Sequence, residues 1–68
     1  MNECEYAVLD SRAQYDPDIA AILECCGPNK PSWSSLQRDW GDQEAVLIRW
    51  HGYDGKMYTK TEVIGVIR

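Results

Sequence analysis

Cys4, Cys25, Cys26 and His51 are the side chains of this 68-residue chain best suited to chemistry beyond packing, because thiolates and imidazole serve as metal ligands and as nucleophiles or bases. Zinc sites built from such residues use paired ligands one turn apart, and redox sites use a C-x-x-C step. Neither spacing occurs here: Cys25 and Cys26 are adjacent, a pair that can hardly bridge itself without distorting the backbone, and Cys4 and His51 lie far from them. Three is also the wrong parity for a disulfide framework. The sequence therefore predicts Cys26 as a small core hydrophobe, Cys4 and Cys25 as free thiols, and no metal or other cofactor. A nucleophile, base and acid would have to be assembled around His51, just ahead of a turn, and no H-E-x-x-H, glycine-rich phosphate loop, EF-hand loop or dinucleotide fingerprint is present. Asp16 with Asp18 and Asp39 with Asp42 are paired carboxylates at helix boundaries, where capping accounts for them. The residue types point away from an enzyme.

Charge is more informative than chemistry. Residues 1 to 28 hold Glu3, Glu5, Asp10, Asp16, Asp18 and Glu24 against Arg12 alone, a charge of -5, whereas the remainder nearly balances at +1, so the net charge of -4 comes from the first half. Acidity of this kind speaks against direct contact with nucleic acid, whose phosphates are bound by cations, and suits a basic protein surface. No apolar run approaches the ~20 residues of a membrane span, and Met1-Asn2-Glu3-Cys4-Glu5 lacks the basic and apolar regions of a signal peptide. A soluble, cytoplasmic protein is the expectation, and 68 residues make one small domain, 1–68, with a thin core.

The elements that must position these residues can be read along the chain. Glu5 to Asp10 is a short run with aromatic and β-branched members, a first strand. Asp16 fits an N-cap, Pro17 a first helical position and Gly27-Pro28 a stop, predicting a helix over about 17–26 with Ile19, Ile22, Leu23 and Cys26 on one face. Ser32 caps a second helix in which Trp33, Leu36 and Trp40 form an inward stripe, and Gly41 provides a left-handed exit. Ala45 to Trp50 is a strand with Val46, Ile48 and Trp50 facing the core. Gly52-Tyr53-Asp54-Gly55 turns the chain into Lys56 to Thr59, and a four-residue loop there sets Trp50 opposite Met57 and Arg49 opposite Tyr58. Thr59 to Glu62 spells a capping box, but the β-branched residues beside Gly65 favour a closing strand over Glu62 to Ile67. The predicted class is α+β: a short N-terminal strand, two short helices and a C-terminal antiparallel meander of two or three strands. Val46, Ile48, Trp50 and Ile67 should meet Ile19, Leu23, Leu36 and Trp40 in its core.

Leu47-Ile48-Arg49-Trp50-His51-Gly52-Tyr53 resembles the central strand of chromodomains, and Glu5 to Arg12 resembles their first strand. The resemblance covers about a quarter of the chain. It implies an aromatic cage of Tyr6, Trp50 and either Tyr53 or Tyr58. The chain departs from that family in the two-helix stretch between the strands, in lacking its Thr-Trp-Glu-Pro turn, and in ending on a strand.

By elimination and charge placement, the leading functional expectation is a small acidic protein-binding factor that occupies a basic site on a larger protein or complex, of the kind phages and mobile elements encode as inhibitors. Asp16, Asp18 and Glu24 near the first helix and Tyr53, Asp54 and Tyr58 at the hairpin are the candidate contacts. One alternative is a peptide- or nucleic-acid-reading module using Trp50, Tyr53 and Tyr58 beside Arg49, Lys56 and Lys60. Another is a structural subunit or an obligate homodimer pairing its C-terminal edge strand.

Overall fold

Ala45, Val46, Leu47 and Ile48 are fully buried. A strand with both faces covered must lie inside a sheet that is itself covered on both sides, and the architecture follows from that. The structure is a computed structural model describing residues 4–53, 55–56 and 58–68. It runs β1 (Tyr6–Leu9), a 3-10 turn (Ser11–Gln14), β2 (Ile22–Gly27), α1 (Trp33–Trp40), β3 (Val46–Tyr53) and β4 (Tyr58–Val66). The strands form one antiparallel sheet in the order β2-β1-β3-β4, so β3 and β1 are central and β2 and β4 are edges. No helix among the described residues is long and apolar enough to cross a membrane.

Each face carries its own core. On one side, Val8, Leu47 and Ile67 pack with Leu36 of α1, flanked by Leu23, Cys26, Trp40 and Ile64. On the other, Ala7, Leu9, Val46 and Ile48 are roofed by Ala13 of the 3-10 turn, flanked by Ala20, Trp50 and Val66. The single core expected from the sequence is therefore split: α1 meets the Leu47 face of β3, and Val46, Ile48 and Trp50 look away from it. Ile19, assigned to that core, is 58% exposed.

The helix predicted over 17–26 does not form. Asp16 Oδ1 accepts the Asp18 N–H at 3.0 Å and the Asp16 carbonyl accepts the Ile19 N–H at 3.2 Å, so the Asp-Pro-Asp signal closes a single turn. The chain then extends as β2. Pairing with β1 and a disulfide from Cys25 to Cys4 outweigh the local helical preference. The disulfide also corrects the reading of those two cysteines as free thiols. Cys26 stays a free, half-buried thiol.

The second helix does form. Ser32 caps it, its Oγ accepting the Ser35 N–H at 3.3 Å, and Leu36 and Trp40 face the core, whereas Trp33, expected in the same inward stripe, is 38% exposed. Its exit differs from expectation. Gly41 keeps a right-handed φ of -65°, and Glu44 takes the left-handed conformation at φ 53°. Gly41 is required for closeness instead, because a Cβ there would collide with the Gln37 carbonyl oxygen. Gly27 ends β2 at φ 78°, a conformation that glycine adopts freely.

The β3–β4 register places Arg49 opposite Glu62, Trp50 opposite Thr61, His51 opposite Lys60 and Tyr53 opposite Tyr58. β3 therefore continues through Gly52 and Tyr53, which had been assigned to the turn, and the expected pairing of Arg49 with Tyr58 is replaced by one of opposite charges. The expected partner of Trp50, Met57, lies outside the described residues.

Candidate protein-binding surface

The acidic half of the sequence becomes a loop closed on itself. Asp10, the last residue before the 3-10 turn, accepts hydrogen bonds at Oδ1 from the Arg12 N–H and at Oδ2 from the Ala21 N–H, while its own N–H donates to the Ala21 carbonyl. These bonds tie the two ends of segment 11–20 together, the arrangement of an Ω-loop. Arg12 is folded back on the same carboxylate, with Nη2 at 2.6 Å from Oδ2. That guanidinium holds the Asp10 carboxyl down to about 2, from an ordinary 3.8. Gln14 anchors the loop across the sheet by donating from Nε2 to the Glu44 carbonyl at 2.9 Å.

With Ala13 and Ala20 turned inward, the loop turns Tyr15, Asp16, Asp18 and Ile19 outward. Tyr15 is 88% exposed, and Ile22, the first residue of β2, is 56% exposed. Because Arg12 is committed to Asp10, the carboxylates of Asp16 and Asp18 give this surface its charge. Exposed aromatic and aliphatic side chains therefore alternate with acids along residues 15–22. Tyr15, Ile19 and Ile22 were not among the sequence candidates. Only the failure of the helix exposes the two isoleucines, although the -Tyr-Asp-Pro-Asp- turn signal stood in the sequence.

The other candidates lie elsewhere. Glu24 sits on edge strand β2 opposite Val8, and its Oε1 accepts the Trp40 Nε1–H at 2.8 Å, so its carboxylate positions the helix. Tyr53 and Tyr58 are backbone partners where β3 and β4 join, and Asp54 lies outside the described residues. β3 runs antiparallel to β1 and continues beyond Tyr6, whereas the 11–20 loop begins past Leu9. The Tyr53–Tyr58 end of the hairpin and the acidic loop therefore occupy opposite ends of the sheet, so Asp16 and Asp18 do not share a patch with Tyr53 and Tyr58.

At the hairpin end Arg49 has a charged partner within the chain and Glu62 lies near an imidazole. Arg49 Nε donates to Glu5 Oε2 at 2.8 Å, and its guanidinium carbon lies 5.7 Å from the Tyr6 ring centroid. His51 Nε2 is 3.6 Å from Glu62 Oε1. Tyr6 pairs directly with Arg49, so Trp50, the next residue, projects from the opposite face of the sheet. The two cage positions implied by the chromodomain resemblance thus stand on different faces, and the chain's own Arg49 covers the Tyr6 ring.

No family model matches the chain, and neither the curated proteins nor the solved structures contain a match to it.

Proposed function

We propose that the protein is a small acidic binding factor that docks its 11–20 loop and the start of β2 onto a basic, partly apolar surface of a larger protein. The observation that carries this reading is the exposure of Tyr15, Ile19 and Ile22 around Asp16 and Asp18, on a loop held shut by Asp10. Tyrosine supplies a large contact area at low entropic cost and is enriched among residues that dominate interfaces. Carboxylates beside it steer the approach to a cationic partner. A loop already closed also loses little freedom on binding. Occupying a site in this way is how a phage-type inhibitor of a host complex acts.

In a cytoplasmic setting, the compartment suggested by composition, Cys4 and Cys25 would be kept reduced, whereas an oxidising compartment would preserve their disulfide. The docking loop is closed by Asp10 and Gln14 and does not depend on that bond.

The test is capture of partners from native extract by the tagged protein at low and high salt, with Tyr15→Ala and the double variant Asp16→Lys, Asp18→Lys run in parallel. A stoichiometric protein partner that is released by salt and lost with either variant supports the reading. A partner retained by both variants removes the loop from the interface.

A further inference from the structure

The outer edge of β4 carries an unused set of backbone groups with a definite phase. Trp50 donates its N–H to the Glu5 carbonyl at 2.7 Å, so the backbone groups of Trp50 aim at β1. Alternation then turns those of Arg49 and His51 toward β4, and those of their partners Glu62 and Lys60 toward β3. Thr59, Thr61 and Val63 are left with N–H and C=O pointing away from the sheet. This edge stays regular until the irregularity opposite Leu47 and Ile48, where Ile64 is the extra residue.

Two copies of such an edge can pair antiparallel about a two-fold axis only in registers that bring outward-facing residues opposite one another. Centring the axis on Lys60 sets Lys60 against Lys60 of the other copy, and centring it on Glu62 sets Glu62 against Glu62. Centring it on Thr61 places Thr61 against Thr61 and Thr59 against Val63, all in hydrogen-bonding phase. Lys60 then faces Glu62 in both directions, in the closer, non-hydrogen-bonded positions where side chains interact most strongly. Lys60, Glu62 and Val63 are exposed, and Val63 remains 48% accessible.

We infer that the partner of the β4 edge is a second copy of this chain, joined about Thr61 with reciprocal Lys60–Glu62 pairs, so that the sheet continues across the axis. β2 and its acidic loop lie at the far edge of each copy. The dimer therefore carries two outward docking surfaces, and its formation is independent of what they bind. A lysine on a sheet edge is also a common guard against strand pairing. The axis on Thr61 is the register in which this lysine is an attraction.

Light scattering on size-exclusion fractions, combined with sedimentation, tests this with the full chain. The wild type should be a dimer that loosens as salt rises. Lys60→Glu and Glu62→Lys should each be monomeric, because each sets like charges opposite one another, and an equimolar mixture of the two should recover a heterodimer. Thr61→Pro removes an outward N–H without touching the β3–β4 ladder, so it should give a monomer whose thermal transition shows that the fold survives. A wild type that is monomeric throughout, or a dimer that persists in Lys60→Glu and Thr61→Pro, overturns the proposal and leaves Lys60 as an edge guard. If Thr61→Pro unfolds, the charge mixture alone decides: failure to form the heterodimer overturns it.

Discussion

Trp40 Nε1 donates to Glu24 Oε1 at 2.8 Å, fastening the last residue of α1 to edge strand β2 across the helix-side core. Charge-assisted bonds of this kind near the surface contribute on the order of 1 kcal/mol. Glu24→Ala should lower the denaturation midpoint by that order and change tryptophan emission, whereas Glu24→Gln should retain most of the stability. Partner affinity should be unchanged apart from this loss. A Glu24→Ala protein of undiminished stability would return the carboxylate to the list of contact residues.

The Cys4–Cys25 disulfide joins the residues just ahead of β1 to edge strand β2 across a sequence separation of 21. In the chain-entropy account, closing a loop of that size contributes about 3 kcal/mol. A small domain with two thin cores should feel its loss: reduction, or Cys25→Ser, is expected to lower the unfolding free energy by about 2–4 kcal/mol in urea titrations. Cys26 should behave differently. Burial against the helix-side core, together with the nearby Glu24 charge, pushes its thiol pKa up. Alkylation of the oxidised protein at neutral pH should therefore be slower at Cys26 than for a free thiol, and an equal rate would show that the thiol is not sheltered there.

Asp10 makes the acid response of the 11–20 loop predictable. Its carboxyl titrates at about 2 in the folded chain, chiefly because Arg12 hydrogen-bonds to it, against 3.8 ordinarily. A group with a lowered folded pKa contributes stability above its ordinary pKa and loses it as pH falls toward the folded value. Stability should thus decline between about pH 4 and pH 2, with the loop around Tyr15 opening as the 10–21 clasp protonates. Asp10→Asn should remove this part of the pH dependence. If the wild type and Asp10→Asn give parallel acid titrations, the clasp is not what acid releases.

These relationships show why the sequence was only partly legible. The Ser32 cap, the inward Leu36 and Trp40 of the helix and the closing strand could be read because propensity, pattern and packing agree there, although Trp33 is exposed. β2 could not. Its pairing with β1 skips Leu23 and Cys26, two extra residues that turn toward the helix side together with Glu24, while Ile22 and Cys25 pair on the other side. Two irregularities in six residues convert a period of two into one near three, and that period mimics a helix face. β3 was recognised as a strand, but its burial on both faces hid which face α1 would cover. Tyr15, Ile19 and Ile22 surfaced as exposed residues only through that misread segment.

The passage from α1 to β3 separates closeness from conformation as reasons for a residue type. Gly41 has an ordinary φ, but a Cβ on it would press on the Gln37 carbonyl oxygen, backbone that cannot swing aside. Gly41→Ala should therefore open the helix end and cost on the order of 1–3 kcal/mol. Glu44 presents the reverse case: its side chain is exposed, but its backbone sits at φ 53°, a region that non-glycine residues enter at a cost and that asparagine tolerates better than most. The Gln14 bond reaches the Glu44 carbonyl, so changing the side chain leaves that anchor in place. Glu44→Asn should raise stability by about 0.5 kcal/mol in thermal and urea unfolding. Opposite signs from these two substitutions, three residues apart, would confirm that Gly41 is held by steric contact and Glu44 by backbone strain. Destabilisation by Glu44→Asn would mean instead that the glutamate side chain contributes to the helix exit.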